Sequence, residues 1–489
     1  MSVRKTGEDH VKSLRDGRAV YIDGERVADV TAHVAFKNAV RSAAHLYDYQ
    51  ARPENIEAMT FRPDGAPANV SRAWQMPRNH ADTVVRRKAL MAWSEQNYGF
   101  MGRSPDHLAS ALVGQRMGLE VFKRYSPDRA KAFADYFDYA SRNDLFLTYV
   151  IINPQADRSK DWSQQQEDLV ARIVDEDSWG ITIRGAKMMG TSSIMANEVF
   201  VASLQPLKQG EEDLAFCCAL PMNVKGMSVL SRKSYEAGAV SVYDNPLSSR
   251  YDENDAVIYF SDVKVPWERV FVHRHTDACR AQFHDTPGHL YQNYQAQIRL
   301  VVKLKFMVAI ARRLAETIGT ANMPQVKDQL GFLAAQAAMF DAMLHGMEVN
   351  GERFGDYWIP NRHYLYSALA LSQDLYPKMM IAIRELAGGA FIMLPSSVRD
   401  FHNEAMEPLI RKTQRSNAGT PEQRVKFLKA AWDAIGSEFG SRHTQYEMFY
   451  AGARFVTTGH SHRIYDWDDG ARLIDGLLSS YQLPERAAL

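Results

Sequence analysis

The sequence predicts an α+β protein with a helical N-terminal region, a strand-rich central region and a C-terminal helical bundle. Three observations support this prediction: helical periodicity at the start, short strand-like runs in the middle, and long apolar helical stripes at the end. The 489 residues, 46% of them hydrophobic, can bury a large core. We place domain limits at residues 1–145, 146–277 and 278–489.

The N-terminal region carries apolar residues on a helical face in two stretches. These are residues 31–49 and residues 107–125, and Pro105 lies just ahead of the second, where a helix start tolerates proline. We expect helical structure in both stretches.

The central region contains several short runs that alternate or cluster large apolar residues. Gly, Pro, Asn and Asp separate them, as turns separate strands. The predicted strands cover residues 179–185, 199–201, 215–220, 256–260 and 270–272.

After about residue 287 the helical period returns. Two apolar stripes, with members three or four residues apart, run over residues 300–318 and 330–344. Long amphipathic helices of this kind suit a bundle or packing between subunits.

Composition excludes several classes of protein. The 58 basic residues balance the 58 acidic ones, so neither nucleic acid nor an anionic membrane is favoured as a partner. No apolar run approaches the ~20 residues of a membrane helix, and the first residues lack a signal peptide's apolar stretch. Cys217, Cys218 and Cys279 have neither disulfide-framework nor metal-finger spacing. We expect a cytoplasmic protein.

Familiar catalytic motifs are missing. There is no G-x-G-x-x-G after a strand, no G-x-S-x-G elbow and no H-E-x-x-H pair. His460 and His462 form an H-x-H, but Asp466 is the only obvious further ligand and the segment reads as a loop rich in Gly, Ser and Thr. We therefore predict no metal site.

Five segments are more polar than a packed core or a plain loop requires. They are GFMGRSPDH at 99–107, NDLFLTYVIINPQADR at 143–158, GAKMMGTSS at 185–193, PLSSRYDE at 246–253 and VPWERVF at 265–271. In this order they resemble the 4-hydroxyphenylacetate 3-hydroxylase family of FADH2-dependent monooxygenases. The resemblance runs over nearly the whole chain, from about residue 24 to residue 467.

The resemblance implies an acyl-CoA dehydrogenase-like fold, with an N-terminal helical domain, a central β-barrel and a C-terminal helical bundle. FAD would lie between the β domain and the bundle, which removes the need for a dinucleotide motif. It also implies a homotetramer or homodimer built through the C-terminal helices.

For the substrate site, the resemblance assigns Arg103 to the phenol oxygen. A guanidinium lowers the pKa of a phenol, and the phenolate is the form that attacks an electrophilic peroxide. An arginine in a surface ion pair is the ordinary alternative. His107 and Tyr149 also match pocket positions, but well-known members have Tyr and His there, respectively. The exchange makes a halogenated or nitro phenol at least as good a candidate as 4-hydroxyphenylacetate.

For the cofactor, the resemblance implies contacts from two of these segments and from the C-terminal region. The matching residues are Gln155, Asp157, Arg158, Thr191 and Ser192, with Gly452 near the C-terminal contact. Arg232 and Arg442 are candidates for the FAD pyrophosphate, because arginine forks suit phosphate oxygens. An ordinary turn between strands is the alternative for Thr191 and Ser192.

His289 begins the stretch HLYQNYQAQIR, where the chain turns helical. In the chlorophenol-type branch of the family a histidine in this stretch sits by the substrate. A reference pKa of ~6.5 suits a group that takes the phenol proton or stabilises the hydroperoxide. A capping or surface histidine is the alternative.

The resemblance implies the oxygenase component of a two-component phenol hydroxylase. FADH2 would come by diffusion from a separate NAD(P)H:flavin reductase, and O2 would add to form a C4a-hydroperoxyflavin that oxygenates the ring. The sequence leaves the phenol, the position attacked and the reductase open.

The sequence also bears on three rival functions. An iron–sulfur dehydratase of 4-hydroxybutyryl-CoA needs cysteines that residues 99–103 and Ala296 do not provide. An acyl-CoA dehydrogenase needs a glutamate base, for which Glu385, Glu404 and Glu447 are available, so it stays open as the alternative. A non-enzymatic scaffold leaves the polar segments unexplained.

Overall fold

The structure, a computed structural model, describes residues 5–154, 156–157, 159–160, 162–165 and 168–482. The N-terminal region is mainly helical. Its helices are α1 Gly7–Ser13, α2 Lys37–Ala51, α3 Ile56–Met59, α4 His80–Glu95, α5 Pro105–Met117, α6 Leu119–Tyr125 and α7 Pro127–Arg142. Its short strands are β1 Val20–Ile22, β2 Glu25–Val27, β3 Thr60–Phe61 and β4 Val70–Ser71.

The central region supplies most of the strands. They are β5 Leu147–Val150, β6 Arg172–Glu176, β7 Gly180–Lys187, β8 Glu198–Ala202, β9 Phe216–Pro221, β10 Met227–Ser231, β11 Ala256–Pro266 and β12 Val270–His273, with the short helix α8 Ser248–Tyr251 before β11. Six strands form one sheet in the order β2-β1-β10-β11-β7-β6, and four form another in the order β12-β9-β8-β5. Pairs β1/β10 and β5/β8 are parallel; the other pairs in these sheets are antiparallel.

The C-terminal region is helical apart from the hairpin β13 Glu352–Phe354 and β14 Tyr357–Ile359. Its helices are α9 Thr276–His284, α10 Gly288–Ile318, α11 Pro324–Val349, α12 Arg362–Ala387, α13 Glu407–Thr413, α14 Pro421–Ile435, α15 Glu438–Phe449, α16 Arg454–Ile464 and α17 Trp467–Ser479. Helix α10 is buried along most of its length and packs against α4, α5, α11 and α12. It therefore joins the N-terminal helices to the bundle.

The predicted order of helical, strand-rich and helical regions is confirmed, and all five predicted strands are present as β7, β8, β9, β11 and β12. The acyl-CoA dehydrogenase-like barrel is not confirmed, because the described strands form two open sheets. Strands β1 and β2, from the first predicted domain, extend the larger sheet. The domain limits at 1–145, 146–277 and 278–489 stay a prediction.

Two local features differ in detail from the sequence pattern. The stretch 107–125 is helical, as predicted, but it forms two helices, α5 and α6, which meet at Gly118. A Cβ there would lie 2.6 Å from Cβ of Thr286, so α9–α10 packing requires glycine at the junction. His460 and His462 lie in helix α16 rather than in a loop.

Two further findings concern the membrane-spanning, disulfide-linked and metal-binding classes of protein. In the described part of the chain, no helix has the length and apolar character to cross a bilayer. The three cysteines are buried and free, and no group of three or more His, Cys, Asp or Glu side chains among the described residues is placed to hold a metal ion.

Candidate active site

Arg103 and His107 stand at the start of α5. Ser104 precedes the helix in extended conformation and Pro105 is its first residue, a position where the missing N–H costs nothing. One helical turn separates Arg103 from His107, and Nη1 of Arg103 donates a hydrogen bond to Nε2 of His107. The predicted pairing of these two side chains in one site is therefore present in the structure.

Two glutamines of α10 hold His107. Its Nδ1 lies 2.9 Å from Oε1 of Gln295, and its Nε2 lies 3.2 Å from Nε2 of Gln292. Gln295 is oriented in turn by its Nε2, which donates to Asp106. Burial, together with the charge of Arg103, places the pKa of His107 well below its usual value. A neutral ring with its proton on Nδ1 satisfies every one of these bonds.

The guanidinium of Arg103 lies between two tyrosine rings. Its carbon is 5.2 Å from the ring centre of Tyr149 and 5.3 Å from that of Tyr446. The ring of Tyr149 also stacks on His107 at 5.7 Å. Arg103, Tyr149 and Tyr446 are all partly exposed, whereas His107 is buried. These side chains form one partly exposed cluster at the start of α5, which we call the Arg103 cleft.

Arg103 has no carboxylate within ion-pair distance among the described residues. Its backbone N–H donates to Oε1 of Glu253, but its side chain makes no salt bridge. Burial lowers the pKa of Arg103, yet Tyr149, Tyr446 and Glu253 outweigh this effect, and the net shift is upward. The site therefore holds a permanent positive charge that an anionic oxygen can neutralise.

A second polar group surrounds Asp255, at the start of β11. Arg442 makes two hydrogen bonds to its carboxylate, of 2.6 and 3.0 Å, and Arg232 makes one of 2.9 Å. The hydroxyl of Thr191 donates a further bond of 2.7 Å. Burial opposes ionisation of Asp255, but Arg442 and Arg232 outweigh it and hold its pKa well below the usual range.

This arrangement bears on the two arginines predicted to bind pyrophosphate. Arg442 also pairs with Glu253 at 3.0 Å and Arg232 with Asp252 at 2.6 Å. Three carboxylates thus oppose two guanidiniums, a balance that does not attract a further anion. The structure does not support the pyrophosphate role of Arg232 and Arg442, which stays a prediction.

The turn after β7 contains the predicted residues Thr191 and Ser192. Met189 and Ser192 have φ of 65°, an uncommon backbone region for residues other than glycine. The N–H of Ser192 donates to the carbonyls of Glu253 and Asn254, which locks the turn to the loop before β11. Since Glu253 also bonds to Arg103, the turn and the Arg103 cleft are parts of one network.

Unpartnered buried polar atoms allow a test of whether a flavin fits here. Oγ of Ser192 and Nδ2 of Asn254 have no hydrogen-bond partner among the described residues. Buried polar groups normally find partners, and the carbonyl and N–H edges of an isoalloxazine ring supply both acceptors and donors. The residues present therefore fit the predicted cofactor.

The other predicted flavin contacts lie apart from this network or outside the described residues. Gln155 and Arg158 fall outside them. Asp157 has described partners only within its own loop, at Ser159, Lys160 and Gln165. Gly452 has a φ of 103°, and its carbonyl accepts a 2.7 Å hydrogen bond from Gln373. It lies two residues beyond Tyr450, whose ring stacks on Tyr446.

His289 has different neighbours from Arg103. It lies 3.1 Å from the hydroxyl of Tyr366, and its ring is 4.9 Å from that of His284 and 5.2 Å from that of His460. Burial, followed by these two histidines, lowers its pKa well below the usual value. His289 is connected to the cleft through α10, because Gln292, which contacts His107, lies one turn further along this helix. Its catalytic role stays a prediction.

The site includes residues that sequence reasoning missed: Asp106, Glu253, Asp255, Gln292, Gln295 and Tyr446. A signal existed for the glutamines, because α10 places several amide and charged side chains on faces that should be apolar. Polar groups at buried helix positions point to a network or a site. Tyr446 had no comparable signal, since a tyrosine on a bundle helix is ordinary.

Comparison with known proteins identifies the family of this chain. Residues 6–272 match the family described as 4-hydroxyphenylacetate 3-hydroxylase N terminal, and residues 279–479 match its C-terminal counterpart. The chain belongs to the 4-hydroxyphenylacetate 3-hydroxylase family.

Two curated members of this family illustrate the similarity. The 4-hydroxyphenylacetate 3-monooxygenase oxygenase component of Pseudomonas aeruginosa is 35% identical over 92% of this chain and 87% of its own length. The oxygenase component of 4-nitrophenol 2-monooxygenase from a Rhodococcus species is 35% identical over 91% of this chain and 86% of its own.

A solved structure of the family carries both ligands. It is the oxygenase component of 4-hydroxyphenylacetate 3-monooxygenase complexed with FAD and 4-hydroxyphenylacetate. It superposes on this chain with a TM-score of 0.92 at 28% identity, covering 97% of this chain and 98% of its own.

Proposed function

We infer that this chain is the oxygenase component of a two-component, FADH2-dependent aromatic monooxygenase that hydroxylates a phenol. Family membership over residues 6–272 and 279–479 supports the reaction class. The observation that carries the proposal at the site is the guanidinium of Arg103, which lies between two tyrosine rings and has no carboxylate partner among the described residues. Such a cation suits a phenolate oxygen.

The chain's own residues bind and orient the phenol. Arg103 holds the phenol oxygen and favours its ionised form, because the positive charge stabilises the anion. His107 fixes Arg103 by accepting its Nη1–H, and the fixed Nδ1 proton of His107 prevents the ring from turning toward another partner. The ring of Tyr149 closes the cleft against water. Bound reduced FAD supplies the activation of O2, which protein side chains cannot provide.

The polar side chains around the bound phenol determine which class of phenol the site accepts. Compared with the well-known members, His107 and Tyr149 are exchanged in residue type, and they stack on each other. We propose that the chain accepts a phenol with an electron-withdrawing substituent, such as a nitro or halogenated phenol. A leaving group at the attacked carbon would give a quinone.

A phenol panel tests this substrate class. The full-length protein is supplied with chemically reduced FAD and O2, and kcat/KM is measured for 4-hydroxyphenylacetate, 4-nitrophenol and chlorophenols. We expect the nitro or chloro compounds to match or exceed 4-hydroxyphenylacetate. A kcat/KM for 4-hydroxyphenylacetate more than tenfold above all the others would contradict the substrate class while leaving the reaction class intact.

The proposal includes partners. An oxygenase component needs a separate NAD(P)H:flavin reductase, and we propose that reduced FAD reaches this chain by diffusion. We also propose a homodimer or homotetramer formed through the C-terminal helices. Helix α17 supports this, because Leu473, Ile474, Leu477 and Leu478 are 52–74% exposed on it. An amphipathic helix with no buried residue needs a partner surface.

None of the three glutamates considered for the acyl-CoA dehydrogenase alternative, Glu385, Glu404 and Glu447, suits the role of the base. Glu447 is fully buried and pairs with Arg299 and Lys303. Burial opposes its ionisation, but these two cations outweigh it and lower the pKa of Glu447 to about 2. A carboxylate held this firmly is a poor proton acceptor. Glu385 and Glu404 are exposed, away from the cleft side chains.

A further inference from the structure

Tyr446 lies on α15 with its hydroxyl directed at the cleft side of the Arg103 loop. A Cβ at position 102 would collide with Oη of Tyr446, so the backbone of the Arg103 loop passes directly beside this hydroxyl. The hydroxyl is shielded from solvent, yet it has no hydrogen-bond partner among the described residues. A buried hydroxyl without a partner costs free energy, and a bound molecule can recover that cost.

Three guanidiniums surround the ring of Tyr446. Their carbons lie 5.3 Å (Arg103), 4.9 Å (Arg442) and 5.4 Å (Arg299) from the ring centre. Burial raises the pKa of Tyr446 to about 12, although Arg103 and Arg299 oppose that rise. The hydroxyl therefore keeps its proton at neutral pH and is available as a donor.

Tyr450 provides an internal comparison. It lies one turn further along, and its ring stacks on Tyr446 at a centroid distance of 5.4 Å. Its hydroxyl, in contrast, accepts a 2.8 Å hydrogen bond from Nε2 of Gln297. Of these two stacked tyrosines, only Tyr446 carries an unpartnered hydroxyl beside Arg103.

We propose that Tyr446 is a catalytic residue whose hydroxyl donates a hydrogen bond to the phenolate oxygen that Arg103 holds. This deepens the proposed function and rests on it, because the phenolate is the substrate inferred there. Two donors, one charged and one neutral, then converge on one oxygen. The pair stabilises the ionised phenol more than Arg103 does alone.

The test uses 4-nitrophenol as the probe, because its phenolate absorbs visible light and reports its own ionisation. The full-length protein is titrated with the probe without reductant, and the pKa of the bound probe is measured from the phenolate band. Replacing Tyr446 by Phe removes only the hydroxyl. We expect the Kd for the phenolate to rise about tenfold and the pKa of the bound probe to rise by about one unit.

Tyr450→Phe is the matched control and should change neither quantity. The same Tyr446→Phe change should leave the melting temperature unchanged or raise it, because the hydroxyl that it removes has no protein partner. A loss of stability without a change in probe ionisation would mean a structural role and would overturn the proposal.

Arg103→Lys separates this proposal from the proposed function. A shift in probe ionisation with Arg103→Lys but none with Tyr446→Phe overturns the role of Tyr446 and leaves the phenol site in place. If the native protein binds no 4-nitrophenolate, or if Arg103→Lys changes nothing, the phenol site itself is wrong and the role of Tyr446 fails with it.

Discussion

At the scale of single residues, the environment of Arg103 explains why a phenolate would bind. The guanidinium lies between two aromatic rings and against a neutral imidazole, and no described carboxylate neutralises it. In a partly dry cleft such a charge interacts more strongly with an anion than it would in water. The neighbours that set this environment, Gln292, Gln295 and Glu253, come from distant parts of the chain.

His289 carries a residue-scale prediction. It lies on α10 one turn before Gln292, which contacts His107, and it bonds to Tyr366. Replacing His289 by Ala should lower hydroxylation on the order of tenfold and raise H2O2 release, because proton placement near the oxygen chemistry is lost. Product and H2O2 are measured together against O2 consumed.

His284→Ala is the control for His289, because His284 belongs to the same ring cluster but lies on α9. Equal effects of the two substitutions would indicate that the cluster is structural. Unchanged coupling in His289→Ala would remove this residue from the mechanism.

Single site residues could be predicted from the sequence where they belong to a recognisable motif. Arg103, His107 and Tyr149 were predicted to share a site, and the structure brings them into contact. It also brings together Thr191, Arg232 and Arg442, but around Asp255 rather than around an open anion site. Asp255 lies outside the five polar segments, and although Asp252 and Glu253 fall inside the segment 246–253, the sequence alone did not show that they pair with Arg232 and Arg442.

At the scale of elements, the side chain of His460 packs helix α16 against helices α9, α10 and α12. The ring stacks on Tyr366 at 4.8 Å and lies near His284 and His289. Burial, with Arg463, His284 and Arg280, lowers the pKa of His460 to about 4. In the unfolded chain a histidine takes up its proton near pH 6.5.

This difference gives a pH dependence with a definite sign. Between about pH 6.5 and pH 4 the unfolded state binds the extra proton and the folded state does not, so stability falls as pH is lowered. His460→Phe keeps the ring and removes that proton. Across this range we expect the free energy of unfolding of His460→Phe to fall by about 1–2 kcal/mol less than that of the native protein. This value is reduced because the ring of His460 is partly exposed.

Urea unfolding at pH 7 and at pH 4.5 measures this effect. His462→Phe is the control, because His462 is on the same helix but exposed. If His460→Phe and the native protein lose the same stability on acidification, His460 does not contribute to the pH dependence.

Helices and strands were predicted correctly where the periodicity of the apolar residues is enough to identify them. The stripes over residues 300–318 and 330–344 fall within α10 and α11, and the five strands were recognised by their apolar runs. The break at Gly118 was missed because close contact with Thr286 causes it, and a contact of this kind leaves no periodic trace. Strands β1 and β2 were missed because each is three residues long.

At the scale of the whole molecule, α17 carries an apolar face that the single chain does not cover. None of its residues is buried, although four of them are Leu or Ile. We predict that Leu473→Glu combined with Leu477→Glu reduces the oligomer mass in sedimentation equilibrium, because charges on a buried interface are costly to desolvate.

Asp475→Lys is the control for that pair, since it changes the charge of the same helix by two units, although with the opposite sign, on its polar face. A native protein that sediments as a single chain would contradict the proposed assembly. So would a double variant with an unchanged mass.

The reaction itself is the central claim, and one measurement tests it most directly. The full-length protein, chemically reduced FAD and a phenol are mixed without oxygen, with no NADH and no reductase present, and isotopically labelled O2 is then added. We predict a hydroxylated phenol that contains one labelled oxygen atom, in an amount limited by the reduced FAD. Recovery of the unchanged phenol together with H2O2, for every phenol of the panel, would contradict the account.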